Sequence, residues 1–157
     1  MKTAIVYYSQ SGNVRWAAQQ MADILKADVI ELECVKQYPD KGFKKFYWGG
    51  KSAVMQETPA LQPYVFNSEE YDRIILGSPV WASNIAPPLR TFIRDNKEKL
   101  KEKRVAGFVC MAGSGGQKAL EKLNKLVLLD AQLILVDPME RPCRDNDALI
   151  QDFCARL

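Results

Sequence analysis

Apolar runs of strand length alternate along this chain with stretches that have helical spacing. The first run, Thr3–Tyr8, is rich in β-branched and aromatic residues, which is typical of a strand buried in a parallel sheet. Four further strands are predicted at Asp28–Glu33, Tyr71–Leu76, Val105–Met111 and Ala131–Val136. Strands that alternate with helices predict an α/β fold, in which a five-stranded parallel sheet is covered by helices on both faces.

The helices are predicted from apolar spacing and from their start signals. Gly12–Leu25, Gly116–Val127 and a stretch from about Asp145 each carry an apolar face at helical spacing. A fourth helix opens at Pro87-Pro88, because proline suits the first helical turn. No repeat or linker interrupts residues 1–157, so we expect a single domain.

The segment Val35–Asn67 has the weakest pattern. It is expected to hold one or two helices that cover the sheet, with Phe43, Phe46, Tyr47 and Trp48 among lysines. Its basic part, Lys36–Lys51, has five lysines against one aspartate. We interpret this part as a solvated face, with a docking patch for an acidic redox partner as the alternative.

The composition excludes several kinds of chemistry. The 157-residue chain has no histidine, so a Ser-His-Asp triad, a Cys-His dyad and a histidine-ligated metal are all ruled out. The cysteines Cys34, Cys110, Cys143 and Cys154 form no C-x-x-C pair, and no metal site is predicted. A net charge of +3 does not support nucleic acid as a partner.

The location of the protein is also predicted from the chain. No apolar segment is long enough to span a bilayer, and no signal peptide precedes the first strand. The four scattered cysteines are then expected to be reduced thiols. We therefore expect a cytoplasmic protein without a membrane partner.

Parallel sheets of this kind bind ligands beyond the carboxyl ends of their strands, so the loops there are the candidate sites. The first loop, Ser9–Val14, is rich in hydroxyls, lacks Lys and Arg, and leads directly into a helix. Backbone N–H groups, short hydroxyls and the helix dipole together favour a phosphate monoester. The alternative is that Ser11 only caps the helix.

Two more loops lie at the same edge of the predicted sheet. Gly77–Ile85 contains Trp81, whose flat apolar surface suits stacking on a planar ring, although an ordinary packing role is the alternative. Ala112–Gly116 contains three glycines, which allow a ligand to approach the backbone closely or simply serve a strand-to-helix turn.

Together these loops resemble those of the flavodoxins, and the resemblance covers essentially the whole chain. Tyr8–Asn13 resembles the flavodoxin phosphate loop, Gly77–Trp81 resembles the flavin-flanking loop, and Pro87–Phe92 resembles a variant of bacterial flavodoxin-like proteins. The resemblance implies a short-chain flavodoxin-like sandwich with strand order 2-1-3-4-5, and flavin mononucleotide (FMN) as the cofactor.

The resemblance also implies which residues bind the cofactor. The phosphate would lie on Ser9, Gln10, Ser11, Gly12, Asn13 and Val14. The isoalloxazine ring would lie between two loops, formed by Pro79, Val80, Trp81, Ala82, Ser83 and Asn84 and by Ala112, Gly113, Ser114, Gly115 and Gly116.

The chain departs from the family pattern at three points. Val14 replaces a usual threonine, the Ala112–Gly116 loop lacks a second aromatic residue, and the chain is slightly basic where electron carriers are strongly acidic. The missing aromatic residue would leave one face of the flavin open.

Two functions follow from the resemblance. The protein is either an electron carrier that docks to redox proteins or a small NAD(P)H-dependent quinone or flavin reductase; a fold that has lost its cofactor is a third, weaker alternative. No catalytic residue is predicted. A phosphatase-type Cys110 would need an arginine where Gly116 stands.

Overall fold

The computed structural model describes residues 1–38, 50–140 and 145–157, and these residues form one sheet with helices on both faces. The strands are β1 (Thr3–Tyr7), β2 (Asp28–Glu31), β3 (Arg73–Trp81), β4 (Asn84–Ile85), β5 (Arg104–Met111) and β6 (Ala131–Val136). The helices are α1 (Asn13–Leu25), α2 (Pro87–Lys101), α3 (Gly116–Leu126) and α4 (Asp145–Ala155), with a 3-10 turn at Ser68–Glu70. Residues 50–54 are also helical.

The parallel strands lie in the order β2-β1-β3-β5-β6. This confirms the predicted order 2-1-3-4-5, once the short antiparallel strand β4 is set aside. The prediction of five strands was wrong by that one strand, since the described residues contain six.

The third strand is longer than predicted. It continues beyond Leu76 to Trp81, in parallel register with β5 as far as the Pro79–Cys110 pair. Gly77 therefore lies within the strand. A Cβ at this position would come within 2.4 Å of the Phe108 ring on β5, so the glycine makes room for a buried aromatic side chain. The sequence pattern placed Gly77 in the loop after the third strand, but the glycine lies in β3, and its missing side chain serves the packing of the core.

The core is divided between the two faces of the sheet. On one face, Leu89 and Phe92 of α2 and Leu120 of α3 pack in one apolar cluster with the sheet. On the other face, Met21 of α1 and Phe153 of α4 pack with Phe108 of β5. The predicted coverage of both faces is confirmed.

The segment after β2 was expected to hold one or two helices, and its described part contains one, at residues 50–54. Other described residues of the segment pack on the first of these faces outside any helix. Cys34 forms an isolated bridge with Leu61, and Tyr64 and Phe66 pack against the same cluster as Phe92 without belonging to a helix. The residues Phe43, Phe46, Tyr47 and Trp48 lie outside the described residues, as do Cys143 and most of the basic segment.

A helix that crosses a bilayer must be both long and apolar. Within the described ranges, no helix is both long and apolar enough to cross a membrane.

Candidate functional site

A cleft opens at the carboxyl edge of the sheet, between the ends of β1, β3 and β5. Nine residues of the predicted cofactor site line it: Gln10, Ser11, Asn13, Val14, Pro79, Val80, Trp81, Ala82 and Ala112. The three loops singled out from the sequence therefore meet at one place, as parallel strands with a common carboxyl edge require.

The loop before α1 is arranged to leave donors at the start of that helix. Gly12 has a left-handed backbone with φ 101°, which glycine adopts readily, and it is the N-cap residue without a capping side chain. Ser9 is buried, and its hydroxyl oxygen accepts the N–H of Arg15 at 3.2 Å. Ser9 thus satisfies a donor inside the first turn, while Ser11 remains exposed at the cleft.

Asn13 ties this loop to the turn that follows the edge strand β6. Its Oδ1 accepts the N–H of Met139 at 2.9 Å, and its Nδ2 donates to the Ser11 hydroxyl oxygen at 3.2 Å. Because the Ser11 oxygen accepts this bond, the hydrogen of its own hydroxyl can be donated to a ligand.

The charged residues next to the loop Ser9–Val14 in sequence leave the positive end of the α1 dipole unopposed. The first turn of α1 has no acidic residue, so no carboxylate there offsets the positive end of the helix dipole. Arg15 is the nearest cation in sequence, and its guanidinium pairs with the Glu31 carboxylate. This pair raises the pKa of Arg15 and fixes its charge on β2.

Trp81 forms the apolar wall of the cleft and is held by two tyrosines. Its ring lies 5.7 Å from Tyr8 at 89° and 5.3 Å from Tyr38 at 74°, both in edge-to-face geometry. The Tyr38 hydroxyl in turn lies 2.7 Å from that of Ser52. Trp81 packs on the core cluster and also lines the cleft, while its stacking on a planar ring stays a prediction.

The chain leaves Trp81 through a two-residue hairpin turn. Trp81 pairs with Asn84 across the turn, and both central residues have positive φ, 49° at Ala82 and 61° at Ser83. These are the φ signs of a type I′ turn, which usually contains asparagine or glycine. The base of this cleft hairpin, Val80–Ile85, is fixed by Ser78, whose oxygen accepts the Ala86 N–H at 2.8 Å.

The glycine-rich loop after β5 contributes in a different way from the other two. Only Ala112 of this loop lines the cleft, and a Cβ at Gly113 would meet nothing within 4 Å. A Cβ at Gly115 would lie 2.9 Å from the Ser83 hydroxyl oxygen, and one at Gly116 would lie 3.0 Å from the Met111 sulfur. Contact of Ser114 and of these glycines with a cofactor stays a prediction.

Three residues that line the cleft were not predicted from the sequence: Gly50, Cys110 and Asp137. Burial, with a smaller effect of the Asp137 charge, raises the pKa of the Cys110 thiol to about 12. The thiol is therefore protonated at neutral pH and is not an activated nucleophile, as expected from the missing arginine. Asp137 follows β6 directly, so the rule that pointed to the other loops also points to it.

The residues of the cleft fit FMN by their chemistry. The loop Ser9–Val14 offers hydroxyl and backbone donors at a helix start whose N-cap residue is a glycine, which suits a phosphate dianion. Trp81, Val80 and Ala112 provide an apolar surface beside it, which suits a planar ring. A ligand with a phosphate at one end and a flat ring at the other matches both parts.

Comparison with known proteins agrees with this geometry. The family model described as Flavodoxin matches residues 2–134. No curated protein is significantly similar to the chain in sequence.

Solved structures share the fold at low sequence identity. A Lactobacillus acidophilus flavoprotein, solved in complex with FMN, is 24% identical with a TM-score of 0.73, over 88% of this chain and 95% of that one. A putative flavoprotein from Bacteroides eggerthii is 20% identical with a TM-score of 0.77, over 98% of both chains. The two-electron reduced flavodoxin of Megasphaera elsdenii is 17% identical with a TM-score of 0.62, over 98% and 99%.

The sheet order and the cleft at its carboxyl edge define a flavodoxin-like α/β protein. Since the family model covers residues 2–134 of the 157, the chain belongs to the flavodoxin family.

Proposed function

We propose that this protein binds FMN in the described cleft and acts in electron transfer. The observation that carries the proposal is the junction of two unlike surfaces in one cleft: the neutral donors of Ser9–Val14 and the apolar wall around Trp81. Membership of the flavodoxin family and the FMN complex of the Lactobacillus acidophilus flavoprotein support the cofactor.

In this proposal the flavin supplies the redox chemistry and the protein supplies binding and orientation. Ser11 and the N–H groups of Gly12 and Asn13 hold the phosphate. Trp81, fixed by Tyr8 and Tyr38, covers part of the ring. The partners are then redox proteins that reach the flavin at the open edge of the cleft, in the cytoplasm.

A reductase is the second candidate function, and one observation favours it. The side of the cleft at Ala112 and Gly113 has small, exposed residues, and a Cβ at Gly113 would have open space around it. A nicotinamide can stack on a flavin only where one face of the ring is accessible. The low wall at Ala112–Gly113 would allow such stacking, with a quinone or a flavin as the electron acceptor.

The experiment that tests the cofactor is an absorption spectrum of the protein reconstituted with FMN and freed of excess ligand. A bound flavin spectrum at one equivalent per chain is expected. A protein that takes up no flavin would refute the proposal and favour loss of the cofactor.

Anaerobic titrations separate the two functions. Stepwise reduction by dithionite should populate a one-electron reduced form if the protein is a carrier, and NADH or NADPH alone should leave the flavin oxidised. Rapid bleaching by either nicotinamide would instead establish the reductase.

A further inference from the structure

The side-chain amide of Asn84 is engaged at both ends beneath the cleft hairpin. Its Nδ2 donates to the carbonyl oxygen of Ala82 at 2.7 Å, and its Oδ1 accepts from Nζ of Lys122 at 3.0 Å. Asn84 is only 4% exposed, and both bonds are partly buried because Ala82 and Lys122 lie nearer the surface.

Only one orientation of the amide satisfies both neighbours. A carbonyl needs a donor and an ammonium needs an acceptor, so the NH₂ group must face Ala82 and the oxygen must face Lys122. The reversed amide would place oxygen against oxygen and NH₂ against a cation. The charge of Lys122 therefore selects the orientation in which Asn84 holds the Ala82 carbonyl.

The backbone that this amide holds is strained. Ala82 and Ser83 carry a Cβ in the left-handed region, which costs about 1 kcal/mol or more for each residue. Such a conformation persists only where the surrounding structure determines it. The surroundings here are largely α3, because Lys122 belongs to this helix and its N-cap, Gly115, packs against Ser83.

We propose that Lys122 is a positioning residue of the flavin cleft. Its ammonium orients the Asn84 amide, and this amide holds the Ala82 carbonyl and the left-handed turn at which the chain reverses beside Trp81. Ala82 and Trp81 line the cleft, so the shape of that wall depends on a lysine that does not line it. The effect on flavin rests on the proposed function, whereas the effect on the turn does not.

The first test measures amide hydrogen exchange of residues 82–85 in the protein without flavin. Lys122→Met removes the ammonium but keeps the apolar stem, and it should speed exchange at these amides about tenfold by easing local opening. Lys125→Met is the matched control, because Lys125 is an exposed lysine of the same helix. Its exchange at 82–85 should equal that of the wild type.

The variant Asn84→Asp distinguishes positioning of the Ala82 carbonyl by the amide from a simple charge pair with Lys122. The aspartate keeps an acceptor for Lys122 but has no NH₂ group to donate to Ala82. If positioning is correct, Asn84→Asp also speeds exchange at residues 82–85. Lys122→Arg, which keeps the cation, should restore slow exchange relative to Lys122→Met.

The second test measures dissociation constants for FMN and riboflavin. Lys122→Met should weaken both ligands by a similar factor, because the wall contacts the ring that they share and the phosphate site is untouched. Unchanged exchange at 82–85 in Lys122→Met would overturn the proposal, whether or not flavin binds, and unchanged exchange in Asn84→Asp would overturn the part assigned to the amide. Failure of the wild type to bind flavin would refute the proposed function alone, because the exchange data would still report on the turn.

Discussion

Tyr8 and Trp81 meet edge to face, with their ring centroids 5.7 Å apart and their planes at 89°. Tyr8 follows β1 and is only 8% exposed, so it offers the indole a fixed support. Because Tyr38 contacts the same indole, the plane of Trp81 is set by the protein itself. A wall that is already oriented lowers the ordering cost of binding a flat ligand.

Replacing Trp81 should therefore weaken flavin binding through the ring. Trp81→Ala is expected to cost about 1–2 kcal/mol of binding free energy for FMN and for riboflavin alike, and Trp81→Phe less. Titration followed by flavin fluorescence measures both ligands. Trp16→Phe is the control, because Trp16 packs against the cluster on the opposite face of the sheet. Tryptophan emission that is the same with and without FMN would contradict contact between the indole and the flavin.

Ser9 and Ser11 lie in the same loop, but we expect Ser11 to contribute to ligand binding and Ser9 to the stability of the fold. Ser11→Ala removes a donor at the cleft and should weaken FMN by about 1–2 kcal/mol, the value of a hydrogen bond to a charged group, while riboflavin is little affected. Isothermal titration with both ligands measures this difference. Equal losses for FMN and riboflavin would refute the phosphate assignment of Ser11.

Ser9→Ala is the matched variant. The Ser9 hydroxyl accepts the Arg15 N–H, so its loss should lower the free energy of unfolding of the flavin-free protein by about 1 kcal/mol. Urea unfolding should show this loss for Ser9→Ala and almost none for Ser11→Ala. The reverse order would show that Ser11 is the helix cap.

The buried thiol of Cys110 should make stability fall at alkaline pH. Burial raises its pKa from 9.0 to about 12, so the folded state holds the proton more tightly than the unfolded state does. Its contribution is complete below pH 9 and is lost as the pH rises from there toward 12. Between pH 8 and 10 the free energy of unfolding should fall by about 1 kcal/mol from this group.

Cys110→Ala supplies the comparison for the thiol. Urea unfolding at pH 8 and pH 10 should show a smaller difference for this variant than for the wild type, although Cys34 and Cys154 titrate in both. Identical pH dependence in the two proteins would mean that Cys110 does not contribute.

The turn at Ala82 and Ser83 should be improved by the residues that its φ signs favour. The double change Ala82→Asn and Ser83→Gly places Asn-Gly in a turn with two positive φ values, and it should stabilise the flavin-free protein by about 1 kcal/mol. Thermal unfolding measures the change. A lower midpoint temperature than that of the wild type would show that the native pair is not under strain.

The regular elements were predictable because their signals are local. The apolar run at Thr3–Tyr8 and the proline pair at 87–88 each act within one element, and both fall where expected. The hairpin after β3 was not predictable, because Ala82 and Ser83 are poor turn residues whose conformation is imposed by Asn84 and α3. Long-range contacts of this kind leave no mark in the local sequence.

Part of the candidate site was predictable because its signals, like those of the strands and helices, are local. Ser11 and Trp81 stand in loops whose composition is unusual, and both line the cleft. Asp137 reaches it from the end of the edge strand β6, where the rule for carboxyl ends of strands applies but the local composition adds no further signal. Gly50 comes from the segment with the weakest pattern, so neither its position nor its neighbours could be inferred.

Met139 gives the loop before α1 a point of chemical vulnerability. Its side chain is half exposed, and its sulfur would lie 3.4 Å from a Cβ at Gly12. Oxidation to the sulfoxide would add a polar acceptor beside the backbone donors to which the proposed function assigns the phosphate. A sample that ages in air should therefore lose affinity for FMN before it loses its fold, and methionine sulfoxide reductase should restore it.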